Sequence, residues 1–169
     1  ITAFLVDVGE NGFEIGIGTK CVSYRGYHAF RLNFSDVRLG PNQILGEEGK
    51  GLELSGKWLG MGRIWVGASC CGKAERLFGL AKDWASTRKQ FGQPIGKFQA
   101  TGFKLADIAI ELRAADLMVN DAVRRANEGK MSDADAAMVK VYCSEMLNRA
   151  ADNTLQLYGG MGLMEELPI

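Results

Sequence analysis

The stretch RKQFGQPIGKFQ, from Arg88 to Gln99, gathers three side chains that could hold one ligand. Arg88 carries a planar fork suited to a phosphate or pyrophosphate. Phe91 adds an aromatic ring and Gln99 an amide. A nucleotide presents the complements of these groups: a pyrophosphate, a purine face and polar ring edges. The same residues also read as a basic helix end, a capping turn and a core phenylalanine. A second candidate is Gln156-Leu157-Tyr158-Gly159-Gly160. Two adjacent glycines leave backbone N–H groups open to a ligand, although a glycine pair is also a common helix stop. A third is Gly60-Met61-Gly62-Arg63, where an arginine follows a glycine pair near the start of a helix.

Stepping along the chain, residues 1–48 read as β structure. Ile1 to Val6 is an apolar run of strand length, and Asn11-Gly12 is a turn signal before Phe13, Ile15 and Ile17. From Tyr27 to Phe34 the pattern alternates, with His28, Phe30, Leu32 and Phe34 on one face, as in half-buried strands of an antiparallel sheet. Residues 46–51, rich in Gly and Glu, form a connector.

From Gly51 the periodicity is helical. Ile64, Gly67, Cys71, Ala74, Phe78, Ala81 and Ala85 form one stripe, while Gly60 and Gly62 count against an unbroken helix before Arg63. Arg88 and Lys89 form its basic tail. Gly67, Ala68, Ser69 and Gly72 are small enough for a close helix neighbour. A second helix over about 98–128 carries Phe98, Thr101, Leu105, Ile108, Leu112, Ala115, Val119, Ala122 and Ala126 in alternating steps of three and four, as in antiparallel bundles. A third begins at the capping residue Ser132 and runs to about Tyr158, with Val139, Cys143, Met146, Ala150 and Leu157 inward. The fold class is mainly α: an up-and-down helical bundle preceded by antiparallel strands.

Lys and Arg number 20 against 20 Asp and Glu, so the charge offers no basic excess for nucleic acid. No apolar run is long enough to span a membrane, and no signal-peptide pattern appears. Cys21, Cys70, Cys71 and Cys143 are read as reduced thiols. With one histidine, His28, and no paired-cysteine spacing, a zinc site or histidine dyad is not expected. His28 reads as a packed sheet residue.

The order of motifs resembles the acyl-CoA dehydrogenase family. Arg-x-x-Phe-Gly-x-Pro-Ile at 88–95, Phe98-Gln99 and Lys104-Leu105-Ala106-Asp107 are similar to its first flavin-contacting segment. Gln156-Leu157-Tyr158-Gly159-Gly160-Met161-Gly162 resembles the second, Leu45 to Gly51 the link between its β and helical domains, and Gly62-Arg63-Ile64 the helix start on its acyl-CoA side. The resemblance implies residues 1–48 as the end of the middle β domain, a β barrel, and 49–169 as a C-terminal helical bundle lacking its last helices. It implies a flavoprotein of fatty acid metabolism that oxidises an acyl-CoA thioester to the 2,3-enoyl-CoA with FAD. An electron-transfer flavoprotein would accept the electrons. The compartment would be cytoplasmic, or the mitochondrial matrix in a eukaryote.

It further implies FAD contacts at Arg88, Phe91, Gln99, Gln156, Leu157, Tyr158, Gly159 and Gly160, reaching the flavin of a neighbouring subunit in a homodimer or homotetramer. Gly60, Met61, Gly62 and Arg63 would border the acyl-CoA. Gly60 stands where the family often has Asp, which leaves that contact open. Gly62 stands where a minority branch carries its catalytic Glu. In the majority branch the base lies past the Glu-x-Pro segment, which falls here at Glu166 to Pro168. No catalytic residue is therefore assigned, and the chain alone is expected to be inactive. A non-catalytic helical assembly module of the same fold, or an acyl-CoA oxidase relative, stands beside the dehydrogenase reading.

Overall fold

A computed structural model describes residues 1–22, 24 and 26–166. Leu167 and Pro168, part of the Glu-x-Pro segment, lie outside the described residues. The chain divides into two compact units, Ile1–Gly56 and Lys57–Ile169.

In the first unit, β2 (Phe13–Lys20) and β3 (His28–Phe34) pair antiparallel, with a register shift between Ile15 and Gly18. Phe13 stacks on Phe34 across the strands at 5.0 Å, and His28 meets Phe30 edge-on. β1 (Ala3–Phe4) pairs with β4 (Ile44–Leu45). The alternation predicts half-buried strands, but every residue of β3 is exposed. The physical reason is that, among the described residues, no layer covers a face of this two-stranded sheet. The first turn of the following helix is tied to this unit: Gly51 N–H donates to Ile1 O at 2.9 Å. A Cβ on Gly51 would come within 2.6 Å of Ala3 N, so the chain passes where a side chain would stand.

The helices follow. α1 (Gly51–Thr87) is unbroken for 37 residues. Gly60 and Gly62, which count against an unbroken helix before Arg63, do not interrupt it. Glycine costs about 1 kcal/mol in a helix interior; Gly60 is buried, with Met131 3.4 Å from where its Cβ would be, whereas a Cβ on Gly62 would meet nothing within 4 Å, so packing offsets the cost at Gly60 alone. α2 (Gln99–Asn127) and α3 (Asp133–Tyr158) complete the bundle. The cap at Ser132 is present as read: its hydroxyl accepts from Asp135 N–H, and the Asp135 carboxylate accepts from Ser132 N–H. That backbone bond, helped by the Ser132 hydroxyl, holds the Asp135 carboxyl below its usual range.

The core is one cluster drawn from all three helices: Ile64, Cys71 and Ala74; Ile108, Leu112, Ala115 and Val119; Val139, Cys143 and Met146. The stripe of α3 ends on Thr154 and Tyr158, while Leu157 is only half-buried. Small residues let the helices approach. At Gly67 an added Cβ would lie 2.5 Å from Val139 Cγ1 and 3.5 Å from Val119 Cγ2. At Gly72 it would meet nothing within 4 Å, so this second small residue does not serve the same approach.

Gly67→Ala is expected to destabilise the protein by about 1–3 kcal/mol through overpacking. Gly72→Ala should be neutral or stabilising by up to about 1 kcal/mol, from helix propensity alone. Thermal unfolding of the two variants checks the contrast.

Candidate functional site

The Arg88 segment is shaped by the end of α1. The helix stops at Thr87, so Arg88 and Lys89 lie beyond it rather than in its tail. A two-residue hairpin follows, β5 (Lys89–Gln90) and β6 (Gln93–Pro94). The residues between them, Phe91 and Gly92, have φ of 53° and 82°, the pair of positive values that a type I′ turn demands. Glycine accepts this freely, whereas a bulky residue rarely does. Phe91 nevertheless occupies it, 92% exposed, with its ring edge-on to Phe98 at 6.2 Å. Arg88 is anchored on both sides: its N–H donates to Trp84 O and its carbonyl accepts from Ile95 N–H, each at 2.8 Å.

The glycine segment is shaped by the end of α3. Tyr158 closes the helix, and Gly159 caps it at φ 62° before a 3-10 turn over Gly159–Leu163. The turn folds tightly onto α3, since a Cβ on Gly162 would sit 2.8 Å from Leu155 O. Tyr158 is buried and its hydroxyl donates to Leu80 O at 3.2 Å. Burial raises its phenol above the usual value, which keeps this donor protonated. Its ring stacks on Trp84, with centroids 4.5 Å apart and planes 9° from parallel.

These two ends form the walls of one groove of about 400 Å³. It brings together Arg88, Leu157, Tyr158, Gly159 and Gly160. Arg88 is exposed and paired with no carboxylate among the described residues. Nothing lies within 4 Å of where a Cβ on Gly159 or Gly160 would be, so backbone is open on that wall. An unpaired guanidinium opposite bare backbone is a suitable setting for phosphate oxygens. Phe91, Gln99 and Gln156 do not line the groove. Gln99 is the exposed first residue of α2, and Gln156 lies exposed on α3.

Trp84 and Met164 line the groove without having been singled out in the sequence. The signal for Trp84 was there: a residue four positions before an arginine at a helix end shares its face.

The other candidate, Gly60 to Arg63, lies mid-helix rather than at a helix start. Gly60 is buried, Met61 exposed, and Gly62 and Arg63 intermediate. Arg63 and Arg88 are separated by roughly 38 Å along the helix direction at about 1.5 Å per residue, so Arg63 is no part of the groove at Arg88. Among the described residues no group of three or more His, Cys, Asp or Glu could hold a metal. The buried cysteines make poor nucleophiles. Burial, with Cys143 and Asp116 beside it, pushes Cys71 up to about 12, and burial raises Cys143 as well. Both stay thiols at neutral pH, whereas the thiolate is the reactive form.

Residues 49–169 match the family model described as acyl-CoA dehydrogenase, C-terminal domain. The whole chain is 37% identical to a short-chain specific acyl-CoA dehydrogenase of Megasphaera elsdenii and spans 44% of it. It is 33% identical, over its full length and 45% of the relative, to the Acetobacterium woodii protein named caffeyl-CoA reductase-Etf complex subunit CarC. Among solved structures, butyryl-CoA dehydrogenase from Megasphaera elsdenii superposes with a TM-score of 0.92 at 36% identity, over 99% of this chain and 44% of that one. The chain thus spans less than half the length of the relatives it matches.

The sign of the thiol shifts gives a direct expectation. A raised folded-state value is fully stabilising below the unfolded value of about 9 and is lost as pH climbs through about 12 at Cys71. At pH 8, Cys71 and Cys143 should therefore resist a thiol reagent until the protein is unfolded, while half-exposed Cys21 reacts first. Mass mapping of labelled peptides checks the order.

Proposed function

The chain belongs to the acyl-CoA dehydrogenase family, and on that premise we propose that it is the C-terminal part of an FAD-dependent enzyme that oxidises an acyl-CoA thioester to the 2,3-enoyl-CoA. Residues 1–48 would then be the end of the middle β domain and 49–169 the helical domain. The observation that carries the proposal is the meeting of Arg88 with Gly159 and Gly160 across one groove.

The residues of that groove fit the adenosine-diphosphate half of FAD. Arg88 supplies a two-pronged cation for the pyrophosphate, and the Gly159-Gly160 backbone can be approached without a side chain between. Phe91, held outward on its strained turn, offers a ring face to the adenine of FAD on a neighbouring subunit. Gln99 and Gln156, exposed beside these ends, would hydrogen-bond the cofactor, with Leu157 and Tyr158 backing the glycine wall. In this reading cofactor binding and assembly as a homo-oligomer are one event. When bound, FAD supplies the redox chemistry, accepting hydride from the β carbon as a base removes the α proton. Gly60, Met61, Gly62 and Arg63 would border the acyl-CoA, and none of them is a proton-abstracting base.

An electron-transfer flavoprotein is the proposed electron acceptor. The name of the CarC relative, a subunit of a complex with such a protein, supports it. Among the described residues no helix is long and apolar enough to cross a membrane. A cytoplasmic or mitochondrial-matrix location is part of the proposal through the family resemblance.

In the full-length protein, Arg88→Ala should weaken FAD retention by about 1.5–3 kcal/mol, the worth of a hydrogen bond to a charged group. Arg88→Lys should recover only part, because it restores charge without the fork. Flavin content after purification reads both. Anaerobic addition of an acyl-CoA panel to the full-length holoenzyme should bleach the flavin absorbance. A holoenzyme that keeps FAD and bleaches with none of the panel would favour the non-catalytic assembly module instead.

A further inference from the structure

We infer that Trp84 is a positioning residue for the cofactor groove, fixing Arg88 against the Gly159-Gly160 wall; the inference rests on the FAD reading above. The indole touches both walls. On one side it stacks on Tyr158, the residue that precedes the glycine pair. The Arg88 guanidinium lies over the same indole, 5.7 Å from the ring centroid, within the range where a cation is drawn to a π face. Tyr158 is itself fixed one helical turn back, by its bond to Leu80 O. The order of contact therefore runs from the bare glycines through Tyr158 and Trp84 to the cation.

The indole N–H gives the second indication. Trp84 Nε1 is buried and has no hydrogen-bond partner among the described residues. Leaving a buried donor unpaired is unfavourable, so this position does not use the polar edge of the ring. It uses the flat surface, which neither Leu nor Met can supply. Arg88 needs such a surface. Its backbone is bound at both N–H and C=O, yet its long side chain is exposed and joined to no carboxylate among the described residues. Holding the guanidinium over a ring reduces the rotamer freedom that ligand binding would otherwise remove.

The test compares ring and non-ring substitutions in the full-length protein, with FAD affinity measured by titration of the apoprotein at a temperature well below unfolding. Trp84→Phe keeps a π face and removes only the unused N–H, so FAD should bind within about threefold of the unsubstituted protein. Trp84→Leu removes the face and should weaken FAD about 3- to 30-fold, the range of a cation–π contact. Trp84→Met, which fills more of the same volume without a ring, should behave like Leu, and it stands in if Leu prevents folding. Because Trp84 acts through Arg88, the Leu or Met change should add little when Arg88 is already Ala.

Three results are decisive. Weakened binding by Leu and Met, rescue by Phe and non-additivity with Arg88→Ala support the assignment. If Arg88→Ala weakens FAD but the Leu and Met variants bind like the unsubstituted protein, or their losses add fully to that of Arg88→Ala, the positioning role is overturned and the FAD groove stands. If Arg88→Ala leaves FAD affinity unchanged, the cofactor reading is overturned and the role of Trp84 falls with it.

Discussion

No side chain fits between α1 and α3 at Gly67, and the order of the bundle follows from that constraint. With Val139 Cγ1 only 2.5 Å from where a Cβ would stand, a side chain of α3 presses directly onto the α1 backbone at this level. α2 meets the same level through Val119. A core so tight resists sliding of one helix past another, because interiors near crystal density do not deform smoothly. The levels above and below are then set by helix pitch alone. Small residues carry the seam onward: Ala74, Ala81 and Ala85 on α1 are fully or almost fully buried.

That register decides where the helix ends meet, and the candidate site is made from helix ends. α1 stops at Thr87 and α3 at Tyr158, and stacking of Trp84 on Tyr158 joins them. The groove is thus held by regular elements, while its ligand-facing parts are an arginine just past one helix and glycines just past the other. Rigid helices set the spacing and the open backbone supplies access. The Phe91 turn fits the same division of labour. A positive φ at a bulky residue costs on the order of 1–3 kcal/mol, and the two hydrogen bonds that hold Arg88 stabilise the hairpin around it. The other candidate, at Gly60 to Arg63, is kept at a fixed distance because α1 continues unbroken through it.

Much of this was legible in the sequence. Period and small residues gave three helices, the Ser132 cap and the core stripe of α2 to within a residue or two. The match to the family's motifs gave Arg88 and the glycine pair together, although they lie far apart in the chain. What periodicity missed has physical causes. It counted Gly60 and Gly62 against a continuous helix because helix propensity is local, whereas Gly60 packs against Met131 from outside the helix. It placed Leu157 on the buried stripe, but α3 turns Thr154 and Tyr158 inward at its end, where Tyr158 finds Trp84. It read alternation in β3 as half-burial, which requires a covering layer that alternation alone does not supply. Trp84 lies outside the α1 stripe that periodicity marks, and only the three-dimensional contacts give it two partners.

In the proposed assignment, helix ends fixed by the bundle form one cradle for the pyrophosphate of FAD. The most direct measurement is a structure of the FAD-loaded full-length assembly. Phosphate oxygens are expected at about 3 Å from the Arg88 guanidinium, facing the Gly159-Gly160 backbone, with the FAD reaching in from a neighbouring subunit. FAD bound with its phosphates away from this groove, or an Arg88 turned to a protein carboxylate instead, would contradict it.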